Sequence, residues 1–411
     1  MEKLSIDTII IGAGQAGLAT SYHLTQQGKE NLVLEKADIP GHVWRDERWD
    51  SFNLVVPNWS FQLPGAEYHG TDPDGFLPRD EIVDTFRQYA EKYHFPIRSG
   101  VAVSAVEPHP AGKGYLVRSQ ELDFQARNVI VATGMHQDAR IPFYSTPLPP
   151  EITQLPSSEY RNPEVLPPGA VLVVGSAQSG SQIAEELYRS GRQVYLCVGK
   201  SGRVPRRYRG KDIFTWLMLT GFIDRTPDML PDPKLRFLGS AAVSGRDGGR
   251  TLNLHQFARD GVQLLGRLQG FQDNTLSLAP DLHQNLAFAD QFEVDIIKVI
   301  DGYIEAKGLG APKERLPELR DGYQQKEIAA INLKTAGITS LIWAAGFTHD
   351  FSLVKLPVTD SYGFPITQRG ATSYPGLYFV GLPWLHKWKS GFLFGVGEDA
   401  THIASLISGS V

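Results

Sequence analysis

The chain holds a single cysteine, Cys197, among 411 residues. That excludes an internal disulfide, a Cys-x-x-Cys redox pair and any cysteine-rich metal site, and it fits a reducing, cytoplasmic setting. No apolar run reaches the roughly eighteen residues of a membrane span, and the N-terminus shows no basic region leading into a long apolar stretch and a small-residue cleavage site. We therefore expect neither membrane insertion nor export. Positive charge is also short. The formal net charge is −5, charges of both signs are scattered, and no basic field exists to attract nucleic acid. The spacings His-Glu-x-x-His and Gly-x-Ser-x-Gly do not occur, so neither a zinc site nor a serine nucleophile is expected. A hydrophobic share of 42% over this length suffices for two or three domains with large cores, which points to an enzyme of small molecules.

Two glycine turns carry the strongest signal. From Asp7 the chain reads D-T-I-I-I-G-A-G-Q-A-G-L, an apolar, β-branched strand running straight into glycine and then into a helix that stops near Gly28. Gly12 allows the tight turn, Gly14 lets backbone amides approach a pyrophosphate, and Gly17 lets the helix pack close to the strand; Ala13, Gln15 and Ala16 complete the loop. A second strand, Asn31 to Leu34, ends in Glu35 and Lys36. Glu35 lies twenty-three residues after Gly12, about where a carboxylate accepts hydrogen bonds from ribose hydroxyls. A Gly-x-Gly-x-x-Gly run alone is a weak signal. Here strand, turn, helix, strand and acid occur in order, and the segment predicts a dinucleotide site with the phosphates at the helix N-terminus.

The second turn, V-L-V-V-G-S-A-Q-S-G at 171–180, comprises Gly175, Ser176, Ala177, Gln178, Ser179 and Gly180. Ala177 stands where the fingerprint has glycine, so a methyl group must be tolerated near the pyrophosphate. The same count from Gly175 reaches Val198, with no acid nearby. Instead Lys200, Arg203, Arg206, Arg207 and Arg209 follow, cations suited to the 2′-phosphate of NADP(H) unless they form an ordinary solvated loop. They favour NADPH over NADH. Two more strands end in small residues: N-V-I-V-A-T-G at 128–134, closing on Ala132, Thr133 and Gly134, and T-S-L-I-W-A-A-G at 339–346. Such ends suit a backbone that passes close to a cofactor while crossing between two nucleotide domains. Val103, in the alternating run from Gly100 to Val106, lies either beside an adenine or in plain core.

With these turns and crossings, and with G-H-V-W-R-D-E-R-W-D-S-F-N-L at 41–54, the chain resembles the flavin-containing monooxygenase superfamily, class B enzymes with one FAD domain and one NADPH domain on a single chain. The likeness covers nearly the whole length. In detail it looks most like bacterial flavin-dependent oxidoreductases often encoded near nitrilase-like genes, through S-S-E-Y-R-N-P-E from Ser157, S-G-R-D-G-G-R from Ser244 and P-G-L-Y-F-V-G-L-P-W from Pro375. One departure is Pro156, where the family's linking fingerprint has histidine. Another is Gly381-Leu382, where many two-dinucleotide flavoproteins have Gly-Asp; the monooxygenase branch shares the Gly-Leu form.

The resemblance implies an α/β chain with two dinucleotide-binding, Rossmann-like domains, the NADPH domain inserted in a discontinuous FAD domain. It implies hydride transfer from NADPH to the flavin, reaction with oxygen to a C4a-hydroperoxide, and oxygenation of a small nitrogen, sulfur or carbonyl substrate, the flavin carrying the difficult chemistry. Val43, Trp44 and Arg45 match the family segment beside the flavin, Trp as a flat wall and Arg as a donor. Asn58 falls about where the superfamily has an asparagine facing the flavin and is the catalytic candidate; Asn53 competes, and a turn-capping role is open for both. The C-terminal G-F-L-F-G-V-G-E-D-A leads into a helix whose first amides suit the charge of a reduced flavin. His386, between Trp384 and Trp388, is either an acid-base or substrate-contacting group or an ordinary histidine.

The expected boundaries are 1–158 and 336–411 for the FAD domain and 159–335 for the NADPH domain, with an extra helical insertion at about 210–327 that covers the site or builds a homodimer contact. Pro147, Pro149, Pro150, Pro156, Pro163, Pro167 and Pro168 mark the first crossing as an extended linker. The leading expectation is a monooxygenase. Its rivals are a flavin-dependent dehydrogenase or oxidase without oxygen insertion, and a flavin- or nucleotide-sensing regulator.

Overall fold

A computed structural model describes residues 3–110, 112–142, 148–239 and 241–409; Pro147 of the linker lies outside them. The chain opens as strand β1 (Lys3–Ile11), helix α1 (Gln15–Gln26), strand β2 (Asn31–Leu34) and short helix α2 (His42–Asp46). Helix α3 (Arg79–Lys92) follows, then strands β3 (Ile97–Arg98), β4 (Val103–Pro108), β5 (Tyr115–Ser119) and β6 (Asp123–Val131). These strands form one sheet in the order β3-β2-β1-β6-β5-β4, and a late strand, Leu377–Phe379, pairs with β6. The pairs around β1 are parallel, and the β4–β5–β6 meander is antiparallel. Both faces of β1 are covered, which is why it reads as a continuous apolar run. Ile10 packs with Val33 and Ile130 on one face, while Ile9 and Ile11 pack with Val129 and Val131 on the other.

A second sheet is wholly parallel. Its strands are β7 (Thr153–Pro156), β8 (Ala170–Val174), β9 (Val194–Cys197), β10 (Gln263–Leu265) and β11 (Ile338–Trp343), in the order β7-β11-β8-β9-β10. Helix α4 (Gln178–Arg189) follows β8 as α1 follows β1. Val171 and Val173 face a cluster that also holds Ile10, Ala13 and Ile130, so one apolar core runs between the two sheets.

The strand pairing moves the expected boundaries. Thr153–Pro156, expected in the linker of the first domain, is an edge strand of the second sheet, and Ile338–Trp343, expected in the first domain, lies inside that sheet. Pairing satisfies the backbone polar groups of both segments, which a free linker would leave to water. The region 210–327 is only partly helical. It holds helices α5 (Ile213–Leu219), α6 (Leu254–Arg259) and α7 (Leu282–Lys307), but also β10 and two strands of a small antiparallel sheet, Leu268–Gln272 and Thr275–Leu278. Helix α8 (Val396–Ser408) closes the chain against α1, where His23 meets Thr401. Among the described residues no helix is long and apolar enough to cross a membrane.

Candidate dinucleotide and active site

The two glycine turns repeat one another bond for bond. Gly12 N–H donates to Leu34 O at 2.8 Å and Gly175 N–H to Cys197 O at 3.1 Å, while Ala132 and Ala344 donate to Ile11 O and Val174 O, each at 2.9 Å. Gly12 and Gly175 have φ of +106° and +110°, open to glycine alone at little cost, and each turn is pressed on the returning crossing. A Cβ on Gly17 or Gly180 would lie 1.9 Å from the carbonyl oxygen of Gly12 or Gly175. Close packing of helix on turn therefore requires glycine there. Gly14 differs, because a Cβ built on it meets nothing within 4 Å. Its side is open, at the start of α1. In the second turn Ala177 carries its methyl group there, with Gly239 close by.

Beyond the turns the two halves diverge. The buried Glu35 carboxylate accepts from Ala13 N–H at 2.7 Å and Ala37 N–H at 2.9 Å, with His42 Nδ1 at 3.4 Å. A carboxylate offers about four acceptor sites, so ribose hydroxyls remain accommodated. Lys36 points to solvent. Val101 N–H donates to Glu35 O, and Val103, two residues on, is half-buried. The Gln15 amide donates to Gly391 O, Ala16 lies under Gly381, and Thr133 Oγ1 and Gly134 O accept from Gln137. At the end of β9, Val198 replaces the acid. Ser176 Oγ accepts from Gly199 N–H, Lys200 is exposed with its ammonium 4.7 Å from the Phe288 ring, and the enclosed Ser201 hydroxyl has no hydrogen-bond partner among the described residues. Gln178 is engaged with both the N–H and the carbonyl of Val243, and Ser179 opens α4 beside it.

Three expected cations are already committed. Arg206 is buried and binds Asp212 through two nitrogens and Val55 O through a third. Arg203 pairs with Asp290 and Glu293 at 2.7 Å each. Arg207 caps the carbonyls of Gly248 and Gly249. Arg203 and Arg206 thus have carboxylates as internal partners, whereas Arg207 is exposed, and Lys200 and Ser201 follow the end of β9.

The seam between the sheets is built by residues 46–55. Asp50 N–H donates to Arg161 O at 2.8 Å, Arg161 donates to Asp46 O, and the hydroxyls of Ser51 and Tyr160 both donate to Glu186 on α4. The Gly-Arg-Asp-Gly-Gly-Arg turn packs Gly245 on Leu54 and Gly249 on Phe76. Crossing strands Asp138–Ala139 and Phe347–Thr348 pair with one another, with His136 edge-on to Phe347.

The expected flavin-side residues Val43, Trp44 and Arg45 sit on α2. α2 is anchored by Gly41 N–H on Ala13 O, and Trp44 packs 6.0 Å from Phe52. Arg45, however, turns outward to Asp38 and Asp46, which raise its pKa well above the ordinary arginine value. The cation over Trp44 is Arg48, 5.5 Å from that ring and 5.8 Å from Phe52. No helical spacing announced it, because α2 ends at Asp46 and Arg48 lies in the bend beyond. Asn58 is held by backbone partners in a neighbouring loop. It is buried, its amide donates to Asp72 O and its oxygen accepts from Leu77 N–H, so it holds the loop 72–77. Asn53 binds Phe76 O from the same side. His386 has the partner the sequence did not reveal: Asp399 Oδ1 on α8 lies 3.4 Å from its Nδ1. At the start of α8, the Val396 and Glu398 amides donate to Phe392 O and Gly395 O. Burial pushes the Cys197 thiol up to about 12, leaving no thiolate for redox work.

Residues 9–212 match the pyridine nucleotide-disulphide oxidoreductase family. A CzcO-like oxidoreductase of Geobacillus kaustophilus is 32% identical over 97% of both chains. Among solved structures, the flavin-containing monooxygenase of Stenotrophomonas maltophilia superposes with a TM-score of 0.65 at 21% identity over 99% of each chain. The OTEMO complex with FAD and NADP gives 0.60 at 16% identity, over 99% of this chain and 86% of that one. The chain belongs to the CzcO-like oxidoreductases and shares the fold of the flavin-containing monooxygenase it superposes on.

Proposed function

We propose that this oxidoreductase uses FAD and NADPH to insert oxygen into a small nitrogen, sulfur or carbonyl substrate. The observation that carries the reading is the pair of turns with the same hydrogen bonds but opposite strand ends: Glu35 at the first, Lys200 and Ser201 at the second. An acid accepts ribose hydroxyls, which suits the FAD adenosine; a cation and a hydroxyl suit a 2′-phosphate. The sheet holding β1 is then the FAD unit and the sheet holding β8 the NADPH unit. Bound FAD, reduced by NADPH, supplies the oxygen chemistry. The residues of the chain bind, orient and shield it. Gly12, Gly14 and Gly17 bring α1 amides to one pyrophosphate and Gly175, Ala177 and Gly180 bring α4 amides to the other. Ala132, Thr133 and Gly134 pass beside the first turn, and Trp44 walls the seam.

The test reduces purified holoenzyme anaerobically with NADPH or NADH and then admits 18O2 with a panel of amines, sulfides and ketones. We expect reduction at least about tenfold faster with NADPH and one 18O atom in a product by mass spectrometry. Reduction followed only by hydrogen peroxide across the panel would replace oxygen insertion by an oxidase reading, and equal use of NADH would remove the Lys200–Ser201 assignment.

A further inference from the structure

Several arginines of this fold are held by internal acceptors. Arg203 and Arg206 hold carboxylates, and Arg161 donates to three carbonyls. Arg48 makes one hydrogen bond, from Nη1 to the neighbouring Glu47 carbonyl at 2.8 Å, and among the described residues it forms no ion pair with a carboxylate. A guanidinium has five N–H donors in a rigid fork, so four remain. Its charge is also incompletely screened. Burial pulls its pKa below the ordinary arginine value, opposed only by the Glu47 charge. The side chain spans the faces of Trp44 and Phe52 and lies within electrostatic reach of His136, whose imidazole is pushed down to about 4 by burial and by Arg48. His136 is therefore neutral near pH 7, and Phe347 stands edge-on to it. The site lies at the seam, where residues 46–51 are stitched to the second sheet.

We propose that Arg48 is the substrate-binding cation of this enzyme and that it receives a carboxylate carried on a flat, aromatic organic acid. Two parallel N–H groups match the two oxygens of a carboxylate, and pairing supplies the countercharge that the fold withholds. Trp44, Phe52, His136 and Phe347 offer planar apolar walls for the rest of such a molecule. The assignment deepens the function proposed above and rests on the same seam being the site of oxygen insertion. A nucleotide phosphate is the other anion able to use these donors, and the test separates the two.

The measurement is equilibrium binding to oxidised holoenzyme, read from the perturbation of the bound flavin spectrum, with benzoate and phenylpyruvate as acids and benzamide as the uncharged isostere. Wild type is expected to bind the acids at least about tenfold tighter than the amide, equivalent to about 1.4 kcal/mol. Arg48→Met removes that ratio, and Arg48→Lys, which keeps charge without the fork, retains part of it. If Arg48→Met loses FAD on purification, Arg48→Lys alone decides: an acid-to-amide ratio equal to wild type overturns the proposal. An unchanged ratio in Arg48→Met also overturns it, as does weakened NADP+ binding with the ratio intact, which would hand the residue to a phosphate. Failure of NADPH to reduce wild-type enzyme would instead sink the proposed function, because the binding ratio is measured without turnover.

Discussion

Gly14 and Gly17 belong to one fingerprint, yet the structure assigns them separable duties, and alanine at each should show it. At Gly17 the new methyl carbon would lie 1.9 Å from Gly12 O; contacts under 3.0 Å do not occur for real Cβ atoms, so α1 must retreat by about 1.1 Å. Both colliding groups are fixed by backbone. The cost falls at the upper end for overpacking, about 3 kcal/mol, and with an unfolding entropy of about 2.1 cal/mol/K per residue over 411 residues the flavin-free protein should melt about 3–4 °C lower. At Gly14 the methyl group meets nothing, and φ of −81° with ψ of −172° is open to any residue. Gly14→Ala should cost about 1 kcal/mol or less in the flavin-free protein. Its methyl would stand in the path of the pyrophosphate, so FAD affinity should drop by tenfold or more, about 1.4 kcal/mol. Melting of the flavin-free proteins and fluorescence titration with FAD measure the two quantities. Equal melting losses in the two variants, or wild-type FAD affinity in Gly14→Ala, would refute the division of labour.

Other perturbations test other parts of the argument. Asp290 accepts from Arg203, His255 and Tyr323, which hold its carboxyl well below the usual range. A depressed acid stabilises the fold above its unfolded pKa, and that share is lost as pH falls through the folded value. Asp290→Asn should therefore cost about 3 kcal/mol near neutral pH in urea unfolding, with the gap to wild type closing below about pH 4. Cys197, the one thiol and fully enclosed, should resist iodoacetamide at pH 8 and react only once denaturant is added; prompt labelling of native protein would contradict its place at the end of β9. Ala177→Gly removes the methyl from the second turn and should tighten NADPH binding by up to about tenfold; no change would move the pyrophosphate away from that residue.

The scaffold was legible because its rules are local. β1 and β8 each run directly into glycine, and both the turn and the close helix packing follow from residues within a dozen positions. Glu35 was legible for the same reason, being fixed by a count along one β-α-β unit. Boundaries were less legible. Pro156 and Ile338 belong to strands whose partners lie 187 and 168 residues away respectively in the chain, at Trp343 and Ala170, and no local pattern announces a partner at that range. Asn58 shows the same limit. Its sequence setting left a turn-capping role and a flavin-facing role with equal standing and hid its partners Asp72 and Leu77, which arrive from a different loop.

Charge was the property sequence showed most clearly and interpreted least well. Five basic residues after β9 looked like a phosphate site, yet Arg203, Arg206 and Arg209 are held by acids on α5's N-cap and on α7. The chemistry of an arginine depends on whether its donors are spent. A spent cation, however buried, is a strut that fixes one element on another, and removing its partner costs stability. An unspent cation is an unfinished interaction, held in place because the surrounding structure supports it. Lys200 and Arg48 are of the second kind, one beside the second glycine turn and one at the seam. Arg45 and Arg48 stand three positions apart, and only the first has acids at Asp38 and Asp46 to consume its fork. Those two acids are what make Arg48, and not the arginine adjacent to Trp44, the group available to a ligand.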